Sequence, residues 1–156
     1  MKKPEHIYET YIRASAESLW EAITSAEFTR QYWHRMAVDS DWQPGAKVRF
    51  RYEDGRVGCE GEVLECDPPR RLVYTWRFLF DDALAAERPS TVSFEITQLG
   101  DSCRLRLTHG DFDPDSKVFP MISDGWAEVI SSLKSLLETG RPLAIAGNPA
   151  SERGAA

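Results

Sequence analysis

The sequence predicts an α+β domain, with about six antiparallel strands, two short helices after the first strand and one long helix at the end. Three observations predict it. From residue 47 to 109, apolar residues mostly alternate with polar ones, the period of strands wet on one face. Between Pro120 and Gly140, Ile122, Trp126, Val129, Ile130, Leu133, Leu136 and Leu137 recur on one helical face. Finally, 156 residues with 42% hydrophobic and 28% charged positions have the size and make-up of a single globular domain with a full core. Residues 1–141 are expected to form that domain and 142–156 a disordered tail, since "NPASERGAA" has no apolar periodicity.

"HIYETYIRA" alternates and reads as a strand over about residues 6–13. Ser15 then offers an N-cap and Glu17 a first-turn carboxylate, while Leu19, Trp20 and Ile23 follow at helical spacing. After a break near Ser25, "AEFTRQYWHR" gives a second short helix with Phe28, Tyr32 and Trp33. "WQPGAKV" is a turn; Val48, Phe50 and Tyr52 form the inner side of the next strand, and "EDGR" turns it back. The return strand, about 57–66, carries Gly58 and Gly61, signs of a bulge or a close backbone approach. Pro68-Pro69 end it, and Leu72, Tyr74, Trp76, Phe78 and Phe80 alternate along the following strand. Val92, Phe94 and Ile96, then Cys103, Leu105, Leu107 and His109, define two more strands joined by "LGDS". The last helix, of roughly 20 residues, would run about 30 Å, enough to lie across the sheet, and Gly140 ends it.

A formal net charge of −6 and the lack of a basic stripe argue against nucleic-acid partners. No apolar run approaches the length of a membrane span and no export signal leads the chain, so a cytoplasmic location is expected. Cys59, Cys66 and Cys103, odd in number and without C-x-x-C spacing, read as reduced thiols. His6, His34 and His109 are scattered, and "HGDFDPD" lacks the regular ligand alternation of a calcium loop, so neither metal nor cofactor is expected.

The order of these elements resembles the START-like (SRPBCC, Bet v 1-like) helix-grip superfamily. Within it, the chain is similar to bacterial proteins that look like the carboxy-terminal domain of the activator of the Hsp90 ATPase. "ASAESLWEAIT" followed by "YW", "GEVLECDPPRRLVYTW" and "GWAEVISSLKSLLETG" carry the resemblance, which covers about residues 6–141. It implies a curved sheet of six to seven strands gripping the long helix, around a space that many relatives use for hydrophobic ligands. "FLFDDALAAERPS" departs from the pattern as a longer, more acidic connection.

On this fold Phe50, Tyr52, Tyr74, Trp76, Phe78, Phe94 and Trp126 would point into one interior, with Trp33, His109, Ile122 and Val129 beside them. Such aromatics either line an open cavity or fill it as core. The leading expectation is non-catalytic binding of a hydrophobic or aromatic small molecule or lipid. The alternatives are an enzyme of the cyclase or hydrolase kind, or a co-chaperone-like interaction module; against the latter, the extra amino-terminal domain that the eukaryotic activators carry is not expected here. His109, with Asp111 as a possible orienting partner, is the best catalytic candidate, ahead of Cys59 and Glu60, but more ordinarily a structural histidine. Gly125 costs stability inside a helix, so it marks a frayed first turn, a close strand contact, or room at a cavity mouth.

Overall fold

The first strand, β1 (His6–Ile12), is followed by two helices, α1 (Ala16–Thr24) and α2 (Ala26–Tyr32), in a computed structural model that describes residues 3–144. The caps form as the sequence suggests. Ser15 Oγ accepts the Ser18 N–H at 3.1 Å, and Ser25 both ends α1 and begins α2. Leu19, Ala22 and Ile23 turn inward from α1, and the Tyr32 hydroxyl ties the two helices by donating to the Ala22 carbonyl at 2.6 Å.

The strands β2 (Ala37–Asp39), β3 (Lys47–Arg51), β4 (Val57–Asp67), β5 (Arg71–Phe78), β6 (Ser90–Leu99) and β7 (Ser102–Gly110) follow, with a short helix α3 (Asp82–Ala85) between β5 and β6. Among the described residues, all seven strands join one antiparallel sheet in the order β1-β7-β6-β5-β4-β3-β2. Of the strands, β2 alone was unforeseen. Its three residues are too few to show a period, and a hydrogen bond from the Val38 N–H to the buried Thr29 Oγ1 holds it against α2.

Tight turns sit where glycine allows positive φ, at Gly45 (+90°) and Gly55 (+89°). In β4, register shifts beside Arg51 and between Val63 and Glu65 bend the sheet, and Gly61 is required because a Cβ there would overlap the Thr75 carbonyl of β5. The inner face of β5 stops early. Leu72, Tyr74 and Trp76 are buried, whereas Phe80 lies beyond the strand and is 53% exposed. The acidic "DDALA" intervenes there as α3, capped by Asp81, whose carboxylate accepts the Ala83 and Leu84 N–H groups.

The long helix α4 (Val118–Thr139) closes the inner face. Ser116 Oγ accepts its first N–H groups, from Val118 and Phe119, and the Glu87 carboxylate fixes that corner by accepting from Ser116 Oγ and the Lys117 N–H. Gly140, at φ +83°, ends the helix. Ile130, Leu133 and Leu136 are buried, each such side chain contributing about 1.5–3 kcal/mol. The result is the helix-grip arrangement, a curved sheet around one helix. The predicted tail lies outside the described residues from 145 onward.

Candidate functional site

The amino-terminal half of α4 meets the sheet through Trp126, which reaches His109 of β7, but it does not fill the space before the ends of the strands. Beneath it, a cavity of about 340 Å³ opens toward the ends of β4 and β5. Its innermost wall is Trp33, the residue that ends α2. His34 and Arg35 next to it take left-handed φ values of +50° and +59°, and the Met36 N–H donates to the Trp33 carbonyl at 2.9 Å, so the chain reverses within three residues. Left-handed backbone at two non-glycine positions costs about 1–2 kcal/mol each. The turn throws Trp33 into the interior, 3% exposed, and places His34 on the cavity wall.

Trp33 meets a ring from every layer. It lies 4.6 Å from Phe50, stacks on Trp76 at 6.0 Å and stands edge-on to Trp126 at 5.3 Å. Such pairs add about 0.5–1.5 kcal/mol each beyond area burial. From α4, Ile122, Gly125, Trp126 and Val129 form the roof; Cys59, Trp76 and Phe78 from β4 and β5 form the floor, with Tyr52 at the hairpin. Phe80 and Met121, both well exposed, stand at the mouth with Asp124 and Glu128.

Of the residues expected around a ligand, Trp33, Tyr52, Trp76, Phe78, Ile122, Trp126 and Val129 therefore line this space. Phe50, Tyr74, Phe94 and His109 face the same interior but are buried as packing behind it, with Trp33 and Trp126 edge-on to Phe94. Strand alternation assigns a side chain to a face, and only the placement of α4 decides which part of that face stays open. Met36, Met121, Asp124 and Glu128 also line the cavity without having been singled out in the sequence, as does His34, weighed there only as a metal ligand. The Asp124/Glu128 spacing of four, one helical turn, was the available signal for the last two.

His109 is a structural histidine. The Trp126 indole N–H donates to its Nδ1 at 2.8 Å, which places the ring proton on Nε2, 2.7 Å from Ser90 Oγ. Burial pushes its pKa down to about 3, with His6 adding to the shift, and Phe112 covers the ring at 4.7 Å. Asp111 is not its partner; that carboxylate accepts from Thr91 Oγ1 at 2.6 Å. Burial raises the Cys59 thiol, which removes thiolate character from the one sulfur nucleophile in the wall. Trp76, 5% exposed, has an indole N–H with no partner among the described residues. Among the described residues, no three His, Cys, Asp or Glu side chains group as a metal site would require, and no helix is long and apolar enough to cross a membrane.

Residues 13–138 match the family model described as activator of Hsp90 ATPase homolog 1-like protein. The chain belongs to that family. No curated protein matches it. Among solved structures, it is similar to protein MLL2253 from Mesorhizobium loti at 26% identity, covering 86% of this chain and 97% of that one with a TM-score of 0.74. An HSP90 activator from Plasmodium falciparum superposes at 20% identity, 85% and 95% coverage and a TM-score of 0.70. CalU16 from Micromonospora echinospora does so at 20% identity, 87% and 77% coverage and a TM-score of 0.68. The last two likenesses carry the fold of this family member and nothing further.

Proposed function

We propose that the protein binds an apolar or aromatic small molecule in the space between α4 and the ends of β4 and β5, without transforming it. The observation that carries this reading is the cavity itself. Its volume, about 340 Å³, falls within the 300–1,000 Å³ used by small-molecule sites and is about twice that of an apolar cavity that already holds benzene, about 150 Å³. Protein interiors tolerate few voids, and this one is walled by tryptophan and phenylalanine. The enzyme alternative has lost its leading acid-base candidate, because both ring nitrogens of His109 are engaged. A chaperone partner follows from the family's name alone. A cytoplasmic location belongs to the same proposal, supported by three free cysteines, Cys59, Cys66 and Cys103.

Three of the five tryptophans, Trp33, Trp76 and Trp126, line the cavity. Their emission should change on titration with neutral aromatics, flavonoids and fatty acids, with at least one ligand binding more tightly than about 1 mM, near −4 kcal/mol. If the whole panel fails that threshold, the aromatic wall is only core.

A further inference from the structure

We propose that the cavity selects neutral or cationic aromatic ligands and rejects anionic ones such as fatty acids, an inference that rests on the binding function proposed above. Two features of the site point the same way.

The first is charge. Asp124 and Glu128 both line the mouth, one helical turn apart on α4, a spacing at which like charges repel rather than support a helix. No lysine or arginine lines the cavity among the described residues; His34 is its one basic side chain. An anion entering there meets repulsion in a partly desolvated setting, where charges are felt more strongly than in water. A cation meets attraction.

The second is the wall. Trp33, Tyr52, Trp76 and Trp126 present faces or edges to the space, and the negative faces of such rings attract cations, tryptophan most of all. The exposed Phe80 and Met121 at the entrance extend this apolar, polarisable surface outward.

The ligand class is thus an aromatic body with a neutral or positive group at the mouth.

Three fluorescent probes of different charge test this on the full chain: 1-aminoanthracene (neutral), thioflavin T (cation) and 8-anilinonaphthalene-1-sulfonate (anion). The wild type should bind the first two and bind the sulfonate at least about tenfold more weakly than thioflavin T. In D124N/E128Q the ratio of thioflavin T to sulfonate affinity should fall by at least about tenfold. Comparing each probe with itself removes differences of shape between them. A D124N single variant, altered at an exposed helix position, guards against misfolding of the double variant and should shift the ratio in the same direction. If 1-aminoanthracene binds but thioflavin T does not, or the ratio is unmoved by the substitutions, charge selection is wrong and the binding reading stands. If none of the three binds the wild type, both fall.

Discussion

His109 shows how a residue that looks catalytic in the sequence becomes structural in the fold. It is fully buried, it accepts from Trp126 and donates to Ser90, and its pKa is held down to about 3. An unfolded histidine titrates near 6.5, so below that pH the unfolded chain binds a proton that the folded chain refuses. Stability from this group is therefore complete above about pH 6.5 and is lost as pH falls toward 3, by up to about 1.4 kcal/mol per pH unit. Denaturant melts between pH 4 and 7 should show that slope in the wild type and a shallower one in His109→Gln. Trp126→Phe keeps a ring but strands Nδ1 without its donor, and urea unfolding should register a loss of about 1–3 kcal/mol. Which neighbours His109 would have was not legible in the sequence. Alternation places it on the inner face, but the indole that satisfies it comes from a helix 17 residues on, and no periodicity encodes that meeting.

At the scale of elements, the glycines of β4 and α4 make opposite demands. Gly61 faces the Thr75 carbonyl with no space for a methyl group, so Gly61→Ala should cost about 1–3 kcal/mol or more through overpacking. Gly125 has nothing within 4 Å of where its Cβ would stand, lies two turns inside α4 and borders the cavity. The frayed-turn and close-contact explanations are thereby removed, and the cavity mouth remains. Gly125→Leu should gain up to about 1 kcal/mol in helix propensity while its side chain fills the entrance. Thermal melting and probe titration on that variant should show a protein at least as stable as the wild type that no longer binds. Long elements were legible because their periods repeat: the alternation of β6 and β7 and the heptad-like stripe of α4 each run for nine residues or more. β2 and α3, with three and four residues, were not, and Phe80 continued a two-residue pattern past the point where the strand ends at Phe78.

For the whole molecule, the central claim is that a sheet bent by the β4 irregularities and a helix with a glycine in its second turn leave an aromatic cavity that a ligand fills. A filled site would stabilise the fold by RT ln(1 + [L]/Kd), about 2.7 kcal/mol at a hundredfold excess over Kd. The fold class was readable because it follows from element order and length. The openness of the cavity was not, because it depends on how α4 is laid against the sheet and where its side chains leave space. The five indole N–H groups offer a direct reading of that space. Trp33, Trp76 and Trp126 border the cavity, whereas Trp20 lies on α1 and Trp42 donates to the Thr24 carbonyl at 3.0 Å, away from the lining. In a ¹⁵N–¹H correlation spectrum titrated with 1-aminoanthracene, the cross-peaks of Trp33, Trp76 and Trp126 should move together with one Kd while those of Trp20 and Trp42 stay in place. Movement of Trp20 or Trp42 alone, or no movement at saturating probe, would contradict the account.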